Sequence, residues 1–251
     1  MNYETIEVNI KQSICFIRFC NKKNNNMINN SMINECLHIL KKNDSSNPFH
    51  IVVLEGLPKI FCLGADFDEI IKKKHPIESK KLYELWYLLS CGPFISLSNI
   101  CSGRVNAGGI GFIAACDIVL ANHDAQFSLS ELLFNLFPAC VLPFLIRRIG
   151  FQRSNYMTLM TKPITAKQAL EWNLVDAISN NNDLLLHKHL LRLKYLSKNS
   201  IKNYKKYINE LNNILLNSKN NAISTNHKLF SDSKNLEKIS YYMNTGYFPW
   251  E

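Results

Sequence analysis

Short apolar runs alternate with stretches of helical spacing through the first two-thirds of the chain. Tyr3 to Val8 and Ile14 to Phe19 alternate or run apolar with β-branched residues, which predicts the two strands of a hairpin. The asparagine-rich segment KKNNNMINNSM reads as a loop entering a helix that runs to about Lys42. Met27, Ile28, Met32, Ile33, Cys36, Leu37 and Leu40 recur there at helical spacing. His50 to Glu55 (HIVVLE) is a continuous apolar run bounded by Gly56 and Pro58, the mark of a strand buried on both faces. Phe61 to Asp66 (FCLGAD) predicts a turn, with Gly64 freeing the backbone and Asp66 capping a helix from Phe67 to Lys74. A second helix is predicted from Ile77 to Leu89, and a strand from Phe94 to Ile100.

The stretch GRVNAGGIGFIAACDIVLA reads as a turn, a glycine-rich pivot, a helix of small residues and the buried strand Ile118 to Ala121. Ala125 to Ser128 predicts a short strand, and Ser130 to Leu136 a further turn or helix. Helices follow over Pro143 to Ile149, ended by Gly150, and over Arg153 to Met160. Thr165-Ala-Lys-Gln168 is a capping box opening a helix to Trp172. Asn173 to Asp176 reads as turn and strand, and Asp183 to Tyr247 as lysine-rich helices, polar on one face. This C-terminal layer is expected to pack on a partner or fold over the active site. Strands alternating with helices imply parallel pairing and right-handed crossovers, an α/β fold. A core of residues 1–180 and a helical region of residues 181–251 follow from the same composition shift.

Composition narrows the classes. A chain of 251 residues with 47% hydrophobic content can bury a full core. The net charge of +9 would suit nucleic acid, anionic lipid or an acidic protein partner, or be solvated surface lysine. Lys72-Lys73-Lys74 is the longest basic run, and no arginine-rich stripe or RNA-reading aromatic motif accompanies it, so nucleic acid is disfavoured. The eight cysteines form no CxxC and have no metal-ligand spacing, so no metal is expected, and several sit in apolar runs as reduced thiols would. No stretch is long enough to span a bilayer and the N-terminus lacks an apolar signal core, so the expected location is the cytoplasm.

Two glycine-bearing turns, Leu63-Gly64-Ala65-Asp66 and Asn106-Ala107-Gly108-Gly109, each follow an apolar strand and precede a helix. Amides at such turns are unsatisfied and can hold an anion; two converging would form an oxyanion hole. The same strings also serve as ordinary tight turns. No GxxxxGK[ST] or GxGxxG phosphate loop is present. Glu131 stands among Leu129, Leu132, Leu133 and Phe134. It reads either as a desolvated carboxylate with a raised pKa, suited to acid/base work, or as a surface glutamate favoured at a helix start.

In this order and spacing, these segments resemble the crotonase (enoyl-CoA hydratase/isomerase) superfamily. FCLGADFDEI looks like its first oxyanion turn, AGGIGFIAACDIVLA its second, and AQFSLSELLFNLFP its catalytic-glutamate segment. IRRIG, the M-x-L-M-T helix and ITAKQALEWNLVDAI continue the likeness, which covers residues 3 to 180. The resemblance implies a spiral of β-β-α units with a C-terminal helical region, and trimers or hexamers. It places oxyanion donors on the amides of Ala65 and Gly108 and one catalytic glutamate on Glu131. Leu63, Gly64, Asn106 and Gly109 become substrate-binding positions, and Asp66 a second catalytic candidate beside its helix-cap reading. The family's other glutamate falls on Gly111, which puts simple enoyl hydration in doubt.

The strings VVLEGLPKIFCLGADF, RVNAGGIGF, FSLSELLFNLFPACVLPFLIRRIGFQ, YMTLMTKPI and FPWE are similar to the PksH-type dehydratases of polyketide β-branching cassettes. That likeness implies loss of water from a 3-hydroxy-3-methylglutaryl group on the phosphopantetheine of an acyl carrier protein. It implies no further cofactor, and synthase-like and decarboxylase companions. Arg104 or Asn106 is expected to meet the distal carboxylate. Tyr83 reads as a packed aromatic within reach of substrate, His123 as a loop residue, and Ser128 and Ser130 as groups able to bond Glu131. An enoyl-CoA isomerase or hydratase using the same residues is the alternative, and a non-catalytic crotonase-like binding protein another.

Overall fold

The hairpin forms from β1 (Ile6–Lys11) and β2 (Ile14–Phe19), paired from Ile6 with Phe19 to Lys11 with Ile14. Its first strand begins and ends three residues later than the alternation suggested. The two-residue turn at Gln12 and Ser13 has φ of 48° and 68°, the primed geometry that suits strand twist, without the asparagine or glycine that would announce it. The computed structural model describes residues 3–43, 49–71, 76–248 and 250. The basic run at 72–74, the predicted end of the helix begun at Phe67, and Pro249 and Glu251 of FPWE lie outside them.

Helix α1 (Asn30–Lys41) is capped by Asn29, whose side chain accepts from the Met32 amide, and it buries Met32, Ile33, Cys36, Leu37 and Leu40. Then come β3 (Ile51–Glu55), β4 (Ile60–Cys62), α2 (Phe67–Ile71), α3 (Ser79–Cys91), β5 (Ile95–Ile100), β6 (Arg104–Asn106) and α4 (Gly108–Ala115). They lead to β7 (Ile118–Asn122), β8 (Gln126–Ser128), a 3-10 turn over Glu131–Phe134, α5 (Leu142–Ile149), α6 (Phe151–Met160), β9 (Ile164–Thr165), α7 (Ala166–Glu171) and β10 (Ala177–Ser179). The helices α8 (Asn182–Leu193), α9 (Lys198–Leu211), α10 (Ile214–Ser231) and α11 (Ser233–Thr245) follow.

Two sheets result. The larger runs β1-β2-β3-β5-β7-β10 and is parallel from β2 onward; the smaller runs β4-β6-β8-β9, with β4, β6 and β8 parallel and β9 antiparallel. Successive pairs β3–β4, β5–β6 and β7–β8 give one strand to each sheet before a helical segment. That is a repeating β-β-α spiral, as expected. The segment Asn173 to Asp176 is wholly a turn, with Asn173 in the left-handed region, and the strand starts only at Ala177. Asp176 is held instead by the Val119 amide at 2.6 Å and by Arg148 at 2.6 Å.

Every residue of β5 is buried, which its continuous covering on both faces requires. Phe19, Phe61, Trp86, Phe112 and Phe144 form a chain of tilted and edge-on rings between the sheets and α3 and α4. The C-terminal helices are tied to this core by polar contacts. Buried Lys205 of α9 donates to Leu89 O, Phe94 O and, at 2.6 Å, Asp117. Asn182 of α8 bonds Asn99 and Ile100. A buried ammonium persists only when so paired. All eight cysteines are unpaired. Among the described residues no helix is long and apolar enough to cross a membrane, and no group of metal-ligating side chains is gathered.

Candidate active site

Because β4, β6 and β8 lie side by side and parallel, their C-terminal ends open onto the same place. A cavity of about 520 Å³ sits there. Leu63 and Ala65 follow β4, Asn106 ends β6 ahead of Ala107 and Gly108, and Ser128 ends β8 ahead of Ser130 and Glu131; all line it. Trp86 of α3 forms part of its wall, and Asn226 and Phe230 of α10, Tyr242 of α11 and Phe248 cover it. The C-terminal layer therefore folds over the cavity.

The two turns touch. A Cβ on Gly64 would lie 2.6 Å from Ala107 Cβ and 3.3 Å from the Gly108 nitrogen, and Gly64 has φ +92°, which few side chains tolerate. Ile28 pins the first turn, its amide donating to Gly64 O at 2.6 Å and its carbonyl accepting from the Asp66 amide at 2.9 Å. Pairing alternates along an extended chain, so the intervening Ala65 N–H faces the other way and takes no partner among the described residues. In the second turn Ala107 has φ 50° and ψ −121°, a sparsely populated geometry, and donates its own amide to Ser128 O. Gly108 begins α4, where the first amides have no carbonyl behind them. Among the described residues neither Ala65 N–H nor Gly108 N–H is engaged. A Cβ on Gly108 would lie 2.7 Å from Ile28 Cδ1, the movable end of that side chain.

Glu131 opens the 3-10 turn after β8. Its Oε2 is sealed from solvent and has no hydrogen-bond partner among the described residues. Burial pushes the carboxyl from its ordinary 4.5 up to about 7, against the smaller opposing pull of the Glu131 and Ser130 amides. A group poised there accepts and returns protons near neutrality.

The other expected residues divide. Asn106 spans β6 to β8, with Oδ1 accepting from Ser128 Oγ at 2.8 Å and Nδ2 donating to Ser130 Oγ at 3.0 Å. Both of its ends are thus used in binding the Gly108 turn to the Glu131 turn, and the two serines bond Asn106 rather than the carboxylate. Gly64 and Gly109 do not line the cavity; Gly109 is bare because a Cβ would lie 2.5 Å from Cys62 O. Asp66 does not line it either. It is buried, caps α2 through the Glu69 amide at 3.2 Å and accepts from Asn24 at 2.7 Å. Its carboxylate is occupied as a helix cap, at a distance from the cavity that leaves it out of the lining. Tyr83 is also turned to packing, its hydroxyl donating to Leu215 O at 2.6 Å. His123 is exposed. Arg104 lines the cavity, and its guanidinium makes no hydrogen bond or ion pair among the described residues.

Sequence reasoning did not single out Trp86, and it left the C-terminal layer either to pack on a partner or to fold over the active site, the second of which the structure shows. Trp86 lies one helical turn beyond Tyr83 and looks like core from its spacing, while Phe230, Tyr242 and Phe248 are about a hundred residues from Glu131 in sequence.

A model of the family described as enoyl-CoA hydratase/isomerase matches residues 9–251. The chain belongs to that family. Bacillaene synthase dehydratase PksH of Bacillus subtilis is 48% identical to it, over all of this chain and 98% of that one. A crystal structure of a polyketide biosynthesis enoyl-CoA hydratase (pksH) from Bacillus subtilis superposes with a TM-score of 0.95, covering 99% of this chain and 100% of that one at 47% identity. An enoyl-CoA hydratase structure from Mycobacterium avium paratuberculosis, 17% identical, shares the fold with a TM-score of 0.84 over 97% and 98% of the two chains. As a member of this enoyl-CoA hydratase/isomerase family, the protein is an enzyme of the hydratase and dehydratase class.

Proposed function

We propose that this enzyme dehydrates a 3-hydroxy-3-methylglutaryl thioester carried on an acyl carrier protein, giving the 3-methylglutaconyl thioester during polyketide β-branching. The reading rests on one observation, a lone buried carboxylate with an unpartnered oxygen sharing a cavity with two unengaged amides. The end-to-end likeness to a protein named a dehydratase supports the direction of the reaction.

In this mechanism the thioester oxygen accepts from Ala65 N–H and Gly108 N–H. Glu131 in its carboxylate form takes the α-proton, and the electron pair left behind passes into the enolate held by the two amides. The Cβ–O bond then breaks as protonated Glu131 returns that proton to the departing oxygen. Water leaves, the Cα=Cβ bond forms, and the carboxylate is regenerated. One such amide contributes about 3 kcal/mol to lowering the barrier.

Arg104 is the cation among the described lining residues and pairs with the distal carboxylate, since Asn106 is committed at both ends. The carrier protein is acidic in this reading and meets the basic surface of the chain. Trimeric assembly belongs to it as well, with exposed Phe151, Tyr156, Leu159 and Met160 on α6 suited to burial between copies.

The deciding experiment is intact mass spectrometry of a 3-hydroxy-3-methylglutaryl-loaded carrier protein incubated with the enzyme. Loss of one water supports the proposal. Unchanged mass, together with conversion of a 3-enoyl-CoA into its 2-enoyl isomer, would establish the isomerase instead.

A further inference from the structure

The cavity contains a second buried polar group without a partner, and it has the opposite sense to the first. Trp86 is 1% exposed and lines the cavity, and its Nε1–H donates to nothing among the described residues. A buried indole N–H ordinarily finds an acceptor, because leaving one unpaired forfeits the hydrogen bond it made with water. The ring is fixed by edge-on contacts with Phe112 and Phe144, each at 5.9 Å between centroids. It is also seated against Gly111, where a Cβ would lie 2.4 Å from Cζ2, 2.5 Å from Cη2 and 2.7 Å from Cε2. Cζ2 and Cη2 belong to the six-membered ring and Cε2 is the ring-fusion carbon bonded to Nε1, so the bare glycine in α4 makes room for the benzo ring of the indole.

Glu131 Oε2 is the buried acceptor lining the same cavity, and the two groups do not bond each other. A ligand oxygen within reach of both would satisfy them together, donating to Glu131 and accepting from Trp86. A hydroxyl does this, while a thioester oxygen or a methyl group does not. Several other polar side chains of the lining are already engaged. Asn106 is held by two serines, Asn226 donates to Ser79 Oγ at 2.8 Å, and Thr161 Oγ donates to Met160 O.

We infer that Trp86 is a further catalytic residue, its indole N–H donating to the substrate's β-oxygen while Glu131 faces the same oxygen with its carboxyl. The inference rests on the proposed dehydration and deepens it. The indole keeps its proton throughout. As the Cβ–O bond lengthens, negative charge gathers on the oxygen, the Trp86 hydrogen bond strengthens, and Glu131 delivers the proton that completes water. The donor thus stabilises the transition state more than the ground state.

Trp86→Phe removes the N–H and keeps an aromatic ring. Its kcat on the loaded carrier protein is expected to fall about 10²-fold, the effect of losing one preorganised donor, with KM changed far less. A second measurement is independent of that variant's folding. In the Glu131→Gln protein labelled with 15N at its three tryptophans, saturation with 3-hydroxy-3-methylglutaryl-CoA is expected to move the Trp86 indole proton downfield. Wild-type turnover in Trp86→Phe, or an unmoved Trp86 resonance in a saturated complex, overturns the inference alone. A wild-type enzyme that leaves the loaded carrier protein unchanged overturns the proposed dehydration and this inference with it.

Discussion

A side chain on Gly64 would begin 2.6 Å from the Cβ of Ala107. That contact sets how closely the turns after β4 and β6 approach, and with it the spacing of the Ala65 and Gly108 amides that the proposed mechanism uses. Gly64→Ala is therefore expected to push the amides apart and to strain a φ of +92°. Turnover should fall by about 10²-fold or more, the cost of a displaced donor, even where circular dichroism reports a folded protein. Steady-state kinetics beside a thermal melt checks this.

Glu131 should impose its own titration on both rate and stability. As the base it must be ionised, so kcat/KM is expected to rise with pH and level off above about 7. For stability the sign follows from its raised folded-state pKa. Below the unfolded value of 4.5 both states hold the proton and burial costs nothing. Between 4.5 and about 7 only the folded state holds it, so stability falls as pH rises. Glu131→Gln should accordingly be inactive yet gain stability over wild type across that window, by on the order of 3 kcal/mol at most. Urea unfolding of both proteins at pH 4, 6 and 8 measures the difference.

Arg104 lines the cavity, is exposed, and its guanidinium is unpaired among the described residues. Replacing it with glutamine removes the charge but keeps donors. KM for the 3-hydroxy-3-methylglutaryl substrate should rise roughly 10-fold, as an exposed charge-assisted contact of about 1.5 kcal/mol predicts. Melting temperature should stay put. An equal loss on a substrate lacking the distal carboxylate would show that Arg104 does something else.

The cover over the site depends on α11. Ile239 is completely buried in a cluster with Phe134 and Leu136, beside the rings of Phe67, Tyr242 and Phe248. Ile239→Ala is expected to cost 2–5 kcal/mol locally. Hydrogen exchange should quicken in α11 and in the turn after Glu131 while β3, β5 and β7 keep their protection.

Much of this was legible from residues alone because the signals are local. The apolar run at His50 to Glu55 became β3, and the asparagine loop led into α1 with the expected buried face. Gly64 uses the backbone freedom expected of it, with φ +92°, and Thr165 and Gln168 close the reciprocal cap their spacing announced. The hairpin edge and the Asn173 turn were placed less well. At both, non-glycine residues adopt positive φ, and nothing in side-chain type declares that. Asp66 and Asn106 carried the right chemistry for a site, yet neighbours distant in sequence claimed their polar atoms.

Periodicity and turn residues were enough to determine the alternation of strands and helices and both glycine turns, since each depends on contacts within a few positions of chain, while the resemblance carried by the separated motifs implied the β-β-α spiral and the role of Glu131. Only the tertiary structure decided that Trp86 rather than Tyr83 reaches the cavity, that Gly111 is bare to seat its ring, and that α10 and α11 close the top. It also decided which polar atoms stay unpaired. Whether a buried donor or acceptor is satisfied depends on groups that approach it from anywhere along the chain, and no local pattern encodes that approach.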